Sequence, residues 1–145
     1  MKKFILTVFC NFFSFFSYSQ VWTSLNNGVD VAVRALFADS VDNKLYVAGE
    51  FINADNKPAR NIASWDGLIW DSLAGGMQGG GPALSLTRYN NSIYVGGYFR
   101  YSYSNGIRKI TNGLARWNGN SWDSVGSAFH PSGGPWQMIQ DNGML

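Results

Sequence analysis

Between positions 100 and 109 the chain gathers Arg100, Tyr101, Tyr103, Arg108 and Lys109. The phenol rings offer flat faces for stacking and the cationic side chains offer hydrogen-bond donors, a mixture suited to holding a glycan or a peptide. A plainer use is open to the same residues, with the rings packed inside the fold and the charges solvated. Tryptophans carry a similar double meaning. Trp65, Trp70, Trp117 and Trp122 could stack on sugars, but they recur at matching places along the chain. That recurrence favours structural use, each buried ring contributing roughly 2–3 kcal/mol. No catalytic set assembles around them. His130 stands alone in Phe129-His130-Pro131-Ser132, whereas a zinc site needs several such ligands. Gly79-Gly80-Gly81-Pro82 lacks the lysine and following helix of a phosphate-binding loop and reads as a flexible connector. Asp39, Asp42 and Asp55 could join a calcium site, yet their spacing does not match an EF-hand loop and turn chemistry accounts for them equally. A non-enzyme with no metal and no cofactor is expected.

What must position these residues is a repeat. Leu45-Tyr46-Val47-Ala48-Gly49-Glu50-Phe51 returns as Ile93-Tyr94-Val95-Gly96-Gly97-Tyr98-Phe99, and Ile62-Ala63-Ser64-Trp65-Asp66-Gly67 returns as Leu114-Ala115-Arg116-Trp117-Asn118-Gly119. Trp70-Asp71-Ser72-Leu73 returns as Trp122-Asp123-Ser124-Val125, with a weaker forerunner in Trp22-Thr23-Ser24-Leu25. The first block repeats after fewer residues than the second, which locates an insertion between Phe99 and Ala115, in the segment that holds the Arg/Tyr cluster. Each unit reads as four short strands, in the first Val33–Ser40, Lys44–Phe51, Asn61–Trp65 and Ile69–Leu73. In the second strand Leu45, Val47, Gly49 and Phe51 share a face. Asp42-Asn43 and Asn90-Asn91 read as tight turns, and Asp66-Gly67 and Asn118-Gly119 as two-residue hairpin turns. Nothing shows a helical period for more than a turn, so the chain is expected to be all-β. The longer connections, Ile52–Arg60, Ala74–Pro82, Arg100–Asn112 and Gly126–Pro135, read as loops gathered on one face, where binding usually resides.

Four antiparallel strands per unit of about fifty residues is the arithmetic of a β-propeller blade. The Tyr-Val-x-Gly blocks and the paired tryptophans of Trp65-Asp66-Gly67-Leu68-Ile69-Trp70 and Trp117-Asn118-Gly119-Asn120-Ser121-Trp122 resemble kelch-type repeats. They are similar to those of the galactose oxidase central-domain superfamily, especially the long secreted bacterial proteins that carry such repeats in tandem. The resemblance makes Trp22, Gly49, Phe51, Trp65, Trp70, Gly96, Gly97, Phe99, Trp117 and Trp122 structural repeat positions. The Gly-Gly doublet is intact only at Gly96-Gly97, being Ala48-Gly49 in the first unit. A copper-radical oxidase site needs a Tyr–Cys crosslink and histidine ligands, and none of it carries over. Ser64–Trp70 also resembles a sialidase Asp-box, but a residue is missing between Asp66 and Gly67. The resemblance implies a secreted or cell-surface module that binds or adheres without catalysis, its ligand an unknown protein or glycan. Left open is a carbohydrate-active enzyme or lectin whose active residues lie in other blades.

The first nineteen residues read as an export signal. Met1-Lys2-Lys3 is positively charged, Phe4–Phe16 is largely apolar, and Ser17-Tyr18-Ser19 sets small residues before a cleavage site at Ser19-Gln20. The apolar run is too short to span a bilayer stably, so no transmembrane segment is expected. Removing it takes away Lys2, Lys3 and Cys10, leaving nine basic against nine acidic residues and no cysteine. The whole chain is 46% hydrophobic and 14% charged, which excludes disorder and a coiled coil. Without a basic stripe, nucleic acid is not an expected partner. Residues 20–145 then read as two full blades, an orphan fourth strand at Val21–Leu25 and half a blade ending at Gln140–Leu145. On this reading they are the N-terminal part of a longer propeller, whose remaining blades are the missing partner.

Overall fold

The structure, a computed structural model, describes residues 23–126 and 133–139. The expected leader, Trp22, His130 and the segment Gln140–Leu145 lie outside the described residues. Within them the chain is all-β: thirteen short strands, one 3-10 turn at Leu73–Gly75 and no α-helix. No helix among the described residues is long and apolar enough to cross a membrane.

Two four-stranded antiparallel sheets form the frame. The first runs β1 (Val33–Asp39), β2 (Lys44–Gly49), β5 (Ile62–Trp65) and β6 (Trp70–Asp71); the second runs β8 (Ala83–Tyr89), β9 (Ser92–Gly97), β12 (Leu114–Trp117) and β13 (Trp122–Ser124). The expected strand order is therefore observed twice, and among the described residues neither sheet closes on itself. Matching positions pair alike: Leu45 faces Trp65 and Ile93 faces Trp117, while Trp65 faces Trp70 and Trp117 faces Trp122. Even the irregularity repeats, with a register shift at Val33/Ala35 in β1 and at Ala83/Ser85 in β8.

Several connections differ from the expected ones. β1 and β2 are joined by four residues, Ser40–Asn43, not by a tight Asp42-Asn43 turn; Asn90-Asn91 does make the two-residue turn, both residues at positive φ. The third and fourth strands are also linked by four residues, since Trp65 pairs Trp70 and Trp117 pairs Trp122. Ile69 therefore lies in a turn, not in a strand. The Asp66 carboxylate accepts the N–H groups of Leu68 and Ile69, and the Asn118 side-chain carbonyl those of Asn120 and Ser121, so only Gly67 and Gly119 take positive φ there. These side chains close the loop in place of a two-residue turn. The fourth strand stops at Asp71, because the 3-10 turn takes over at Leu73.

The larger correction concerns the long loops, three of which contain strands. Within Ile52–Arg60, β3 (Asn53–Ala54) and β4 (Lys57–Pro58) form a hairpin; within Ala74–Pro82 lies β7 (Met77–Gln78); within Arg100–Asn112, β10 (Tyr101–Ser104) and β11 (Ile107–Ile110) form a longer hairpin. β7 pairs with β10, giving a small three-stranded sheet. The bridge Val29↔Ala54 is its counterpart in the first unit, as Met77 pairs Ser102 at the matching positions.

The two large sheets stack face to face. Tyr46, Ala48 and Ile62 of the first pack against Ile93, Val95, Ala115, Trp117 and Trp122 of the second, closed by Phe99, Leu73 and Met77. Alternate residues of β2 point the other way. Val47 joins Phe51, Ala63 and Trp70 in a second cluster, with Val29, Leu45 and Trp65 packed on it. The face shared by Leu45, Val47 and Phe51 is thus as expected, but the opposite face of β2 is buried too. Trp122 Nε1 donates to the Leu73 carbonyl at 2.7 Å, and Trp70 Nε1 donates to the Leu25 carbonyl at 2.9 Å. Leu25 stands to Trp70 as Leu73 stands to Trp122, but residues 23–25, the described part of the expected orphan strand, pair with no described strand.

Candidate functional site

Asn105 and Gly106, at φ 51° and 84°, form the tip of the β10–β11 hairpin. Positive φ at both central residues is what a two-residue turn between twisted strands requires, and Asn-Gly supplies it. In the first unit Asp55 and Asn56 do the same at φ 50° and 60°. Asn105-Gly106 beside the alternation Tyr101-Ser102-Tyr103-Ser104 is the sequence signal that marks a hairpin here, and it was missed by reading Arg100–Asn112 as a loop. The β3–β4 strands hold two residues each and the β10–β11 strands four. The insertion thus lengthens both arms of this hairpin and leaves the large sheets unchanged.

Cross-strand pairing sorts the hairpin into two faces. Ser102 pairs Lys109 and Ser104 pairs Ile107; Tyr101 pairs Ile110 and Tyr103 pairs Arg108. The serine face turns inward. Ser102 and Ser104 are buried, and the Ser104 hydroxyl accepts the Trp122 backbone N–H at 2.8 Å. On this face Lys109 Nζ reaches Asp123 at 2.9 Å, and Arg116 reaches the same carboxylate at 3.1 Å. Lys109 first and Arg116 second hold the Asp123 carboxyl below its ordinary value, so the anchor stays charged well into acid. Lys109 is a clasp between hairpin and sheet.

The tyrosine face turns outward. Tyr101 and Tyr103 are half-buried while Arg100, Arg108 and Ile110 are exposed. The Arg108 guanidinium sits 4.7 Å from the Tyr101 ring centre and that of Arg100 5.5 Å away. The ring rests so closely on Gly79 that a Cβ there would collide with it, and the Tyr103 Cβ approaches Gly75. Gly79 is thus the floor on which Tyr101 lies, while Gly80 and Gly81 lie against Tyr98. Four of the five residues singled out from the sequence come together on or beside this outer face; Lys109 lies on the other. At the hairpin tip a groove of about 360 Å³ is lined by Asp71, Ser72, Ala74, Asn105, Trp117 and Asn120.

The other candidates disperse. Asp39 and Asp42 both pair with Arg88, the latter at 3.0 Å, whereas Asp55 accepts from Asn27 at 2.9 Å. They do not form a shared calcium site. Among the described residues no three His, Cys, Asp or Glu side chains cluster to hold a metal ion. Phe51, Phe99, Trp70, Trp117 and Trp122 are buried and Trp65 half-buried. Comparison with known proteins finds no matching family model, no matching curated protein and no matching solved structure.

Proposed function

We propose that this chain is an exported, non-catalytic binding or adhesion module of kelch-like β-propeller type, with the β10–β11 hairpin as its recognition element. Support for the propeller reading comes from the face-to-face stacking of two four-stranded sheets whose pairings, bulges and indole hydrogen bonds recur. The export reading rests on the leader pattern of residues 1–19.

One observation carries the binding reading. Four residues distinguish the two hairpins in length, and they add Tyr103 and Arg108 beside Tyr101 and Arg100, where the other unit has the short hairpin of Asn53, Ala54, Lys57 and Pro58. Variation in the connections of a repeated scaffold is where binding surfaces arise. The test shortens β10–β11 to the length of β3–β4. Circular dichroism should still report a folded β protein, its unfolding midpoint lowered by the loss of the Ser104–Trp122 hydrogen bond, while retention on a glycan array or on cell-surface extracts should disappear. Unchanged retention by the shortened protein would overturn the assignment. Mass analysis of the exported protein should find its N-terminus at Gln20.

A further inference from the structure

Among the described residues the ion pairs are Arg34–Glu50, Arg88 with Asp39 and Asp42, Lys109–Asp123 and Arg116–Asp123. Arg100 and Arg108 are absent from that set. Neither pairs with a carboxylate among the described residues, yet both gather around the one Tyr101 ring, at 5.5 and 4.7 Å from its centre. Two like charges at these distances from one ring centre lie no more than about 10 Å apart, close to the Debye length of roughly 8 Å at physiological salt. Their fields therefore add on any anion between them. The ring's negative face offsets only part of that repulsion, by about 0.5–1 kcal/mol per exposed cation.

We infer that this outer face binds an anionic polysaccharide, its carboxylate or sulfate groups held by Arg100 and Arg108 and a sugar ring laid against Tyr103. The inference rests on the hairpin being the recognition element and names its ligand class. Guanidinium forks match carboxylate and sulfate geometry, and Arg108 is oriented by its contact with Tyr101 before any ligand arrives. Tyr103 pairs across the strands with Arg108, so ring and cation share one face at neighbouring positions. The groove at the hairpin tip, with Asn105, Asn120 and Ser72 beside the Asp71 carboxylate, offers the hydrogen-bonding groups that hydroxyls require. A peptide adding to the edge of β11 is disfavoured. That edge is four residues long and bears Arg108 and Lys109, the kind of charged short edge that resists strand addition.

Affinity electrophoresis through gels containing polygalacturonate, a carboxylated polymer, or dextran sulfate tests it. The parent protein should be retarded by at least one of the two, with apparent affinity falling at least tenfold between 50 and 300 mM salt. Arg100→Gln combined with Arg108→Gln should lose tenfold or more, and Tyr103→Ala several-fold, while Lys57→Gln on the shorter hairpin should change nothing. Retardation by one polymer alone decides between carboxylate and sulfate. Equal binding by the double variant, or displacement by polyglutamate as effective as by the polysaccharide that retards the protein, would overturn the proposal. Should the double variant keep a neutral-glycan interaction that the shortened hairpin loses, the recognition element stands and its anionic ligand falls. Each variant's unfolding midpoint shows that it remains folded.

Discussion

At the residue scale, the repeated tryptophans are unequal in what they hold. The Trp122 ring is fully buried and its indole donates to the carbonyl of Leu73, itself buried, whereas Trp70 donates to Leu25, which is exposed. Replacing a buried donor leaves its acceptor unsatisfied at a cost of about 1–3 kcal/mol, but an exposed carbonyl regains water. Trp122→Phe should therefore lower stability by about 2 kcal/mol more than Trp70→Phe does, read from urea unfolding. Tyr46 gives a second test. Burial, then the negative charges of Asp42 and Asp39, push its phenol from 10.0 up to about 12. A group raised on folding stabilises the fold below its unfolded value, and that contribution is lost as pH climbs through the folded value. Stability should thus decline between pH 10 and 12, and Tyr46→Phe should flatten that alkaline limb. Absorbance at 295 nm should show one phenol titrating near 12.

At the element scale, the glycine doublet shows what sequence can and cannot specify. A Cβ on Gly49 would collide with the Ala32 carbonyl, and one on Gly97 with the Pro82 carbonyl, because the bulged first strand crosses there at backbone contact. A Cβ on Gly96 would instead meet the Ser85 hydroxyl and Pro135, and the matching position in the first unit is Ala48. Gly49→Ala and Gly97→Ala should each cost about 1–3 kcal/mol of overpacking strain. Gly96→Ala should shift the contact with Pro135 and leave the sheet intact, as amide exchange across β9 would report. The broken doublet in the first unit is thus a consequence of geometry. Strand order, repeat phase and the packing tryptophans were legible because they depend on local alternation and on comparison of the units. The β10–β11 hairpin was written in the Tyr-Ser alternation and the Asn105-Gly106 turn, but the pairing of β10 with the two-residue β7 was not, since β7 is too short to carry a period and lies far off in sequence. The site residues were legible as types, but not the division that sends Lys109 inward and Arg108 outward; that follows from the Asn105-Gly106 turn setting the register.

At the scale of the molecule, equivalent positions on the two sheets have different neighbours. Leu36 is 63% exposed on the first sheet, while Leu86 on the second packs against the main core cluster. Leu36→Asp should change the unfolding free energy by less than about 0.5 kcal/mol and reduce binding of a hydrophobic dye. Leu86→Asp should cost about 2 kcal/mol or more, since a carboxylate would enter the apolar seam. Arg88 reaches across that seam to Asp39, whose side chain is almost wholly buried, and to Asp42. The position matching Arg88 in the first unit is Ala38, and the position matching Asp39 in the second is Tyr89. Tandem units this alike invite unequal recombination, which multiplies one copy beside itself. Two adjacent first units would bury Asp39 against an alanine, and two adjacent second units would bury Arg88 against a tyrosine. Either product carries a lone charge in its seam, so the ion pair acts as a signature that admits these two neighbours in one order and penalises the duplicates.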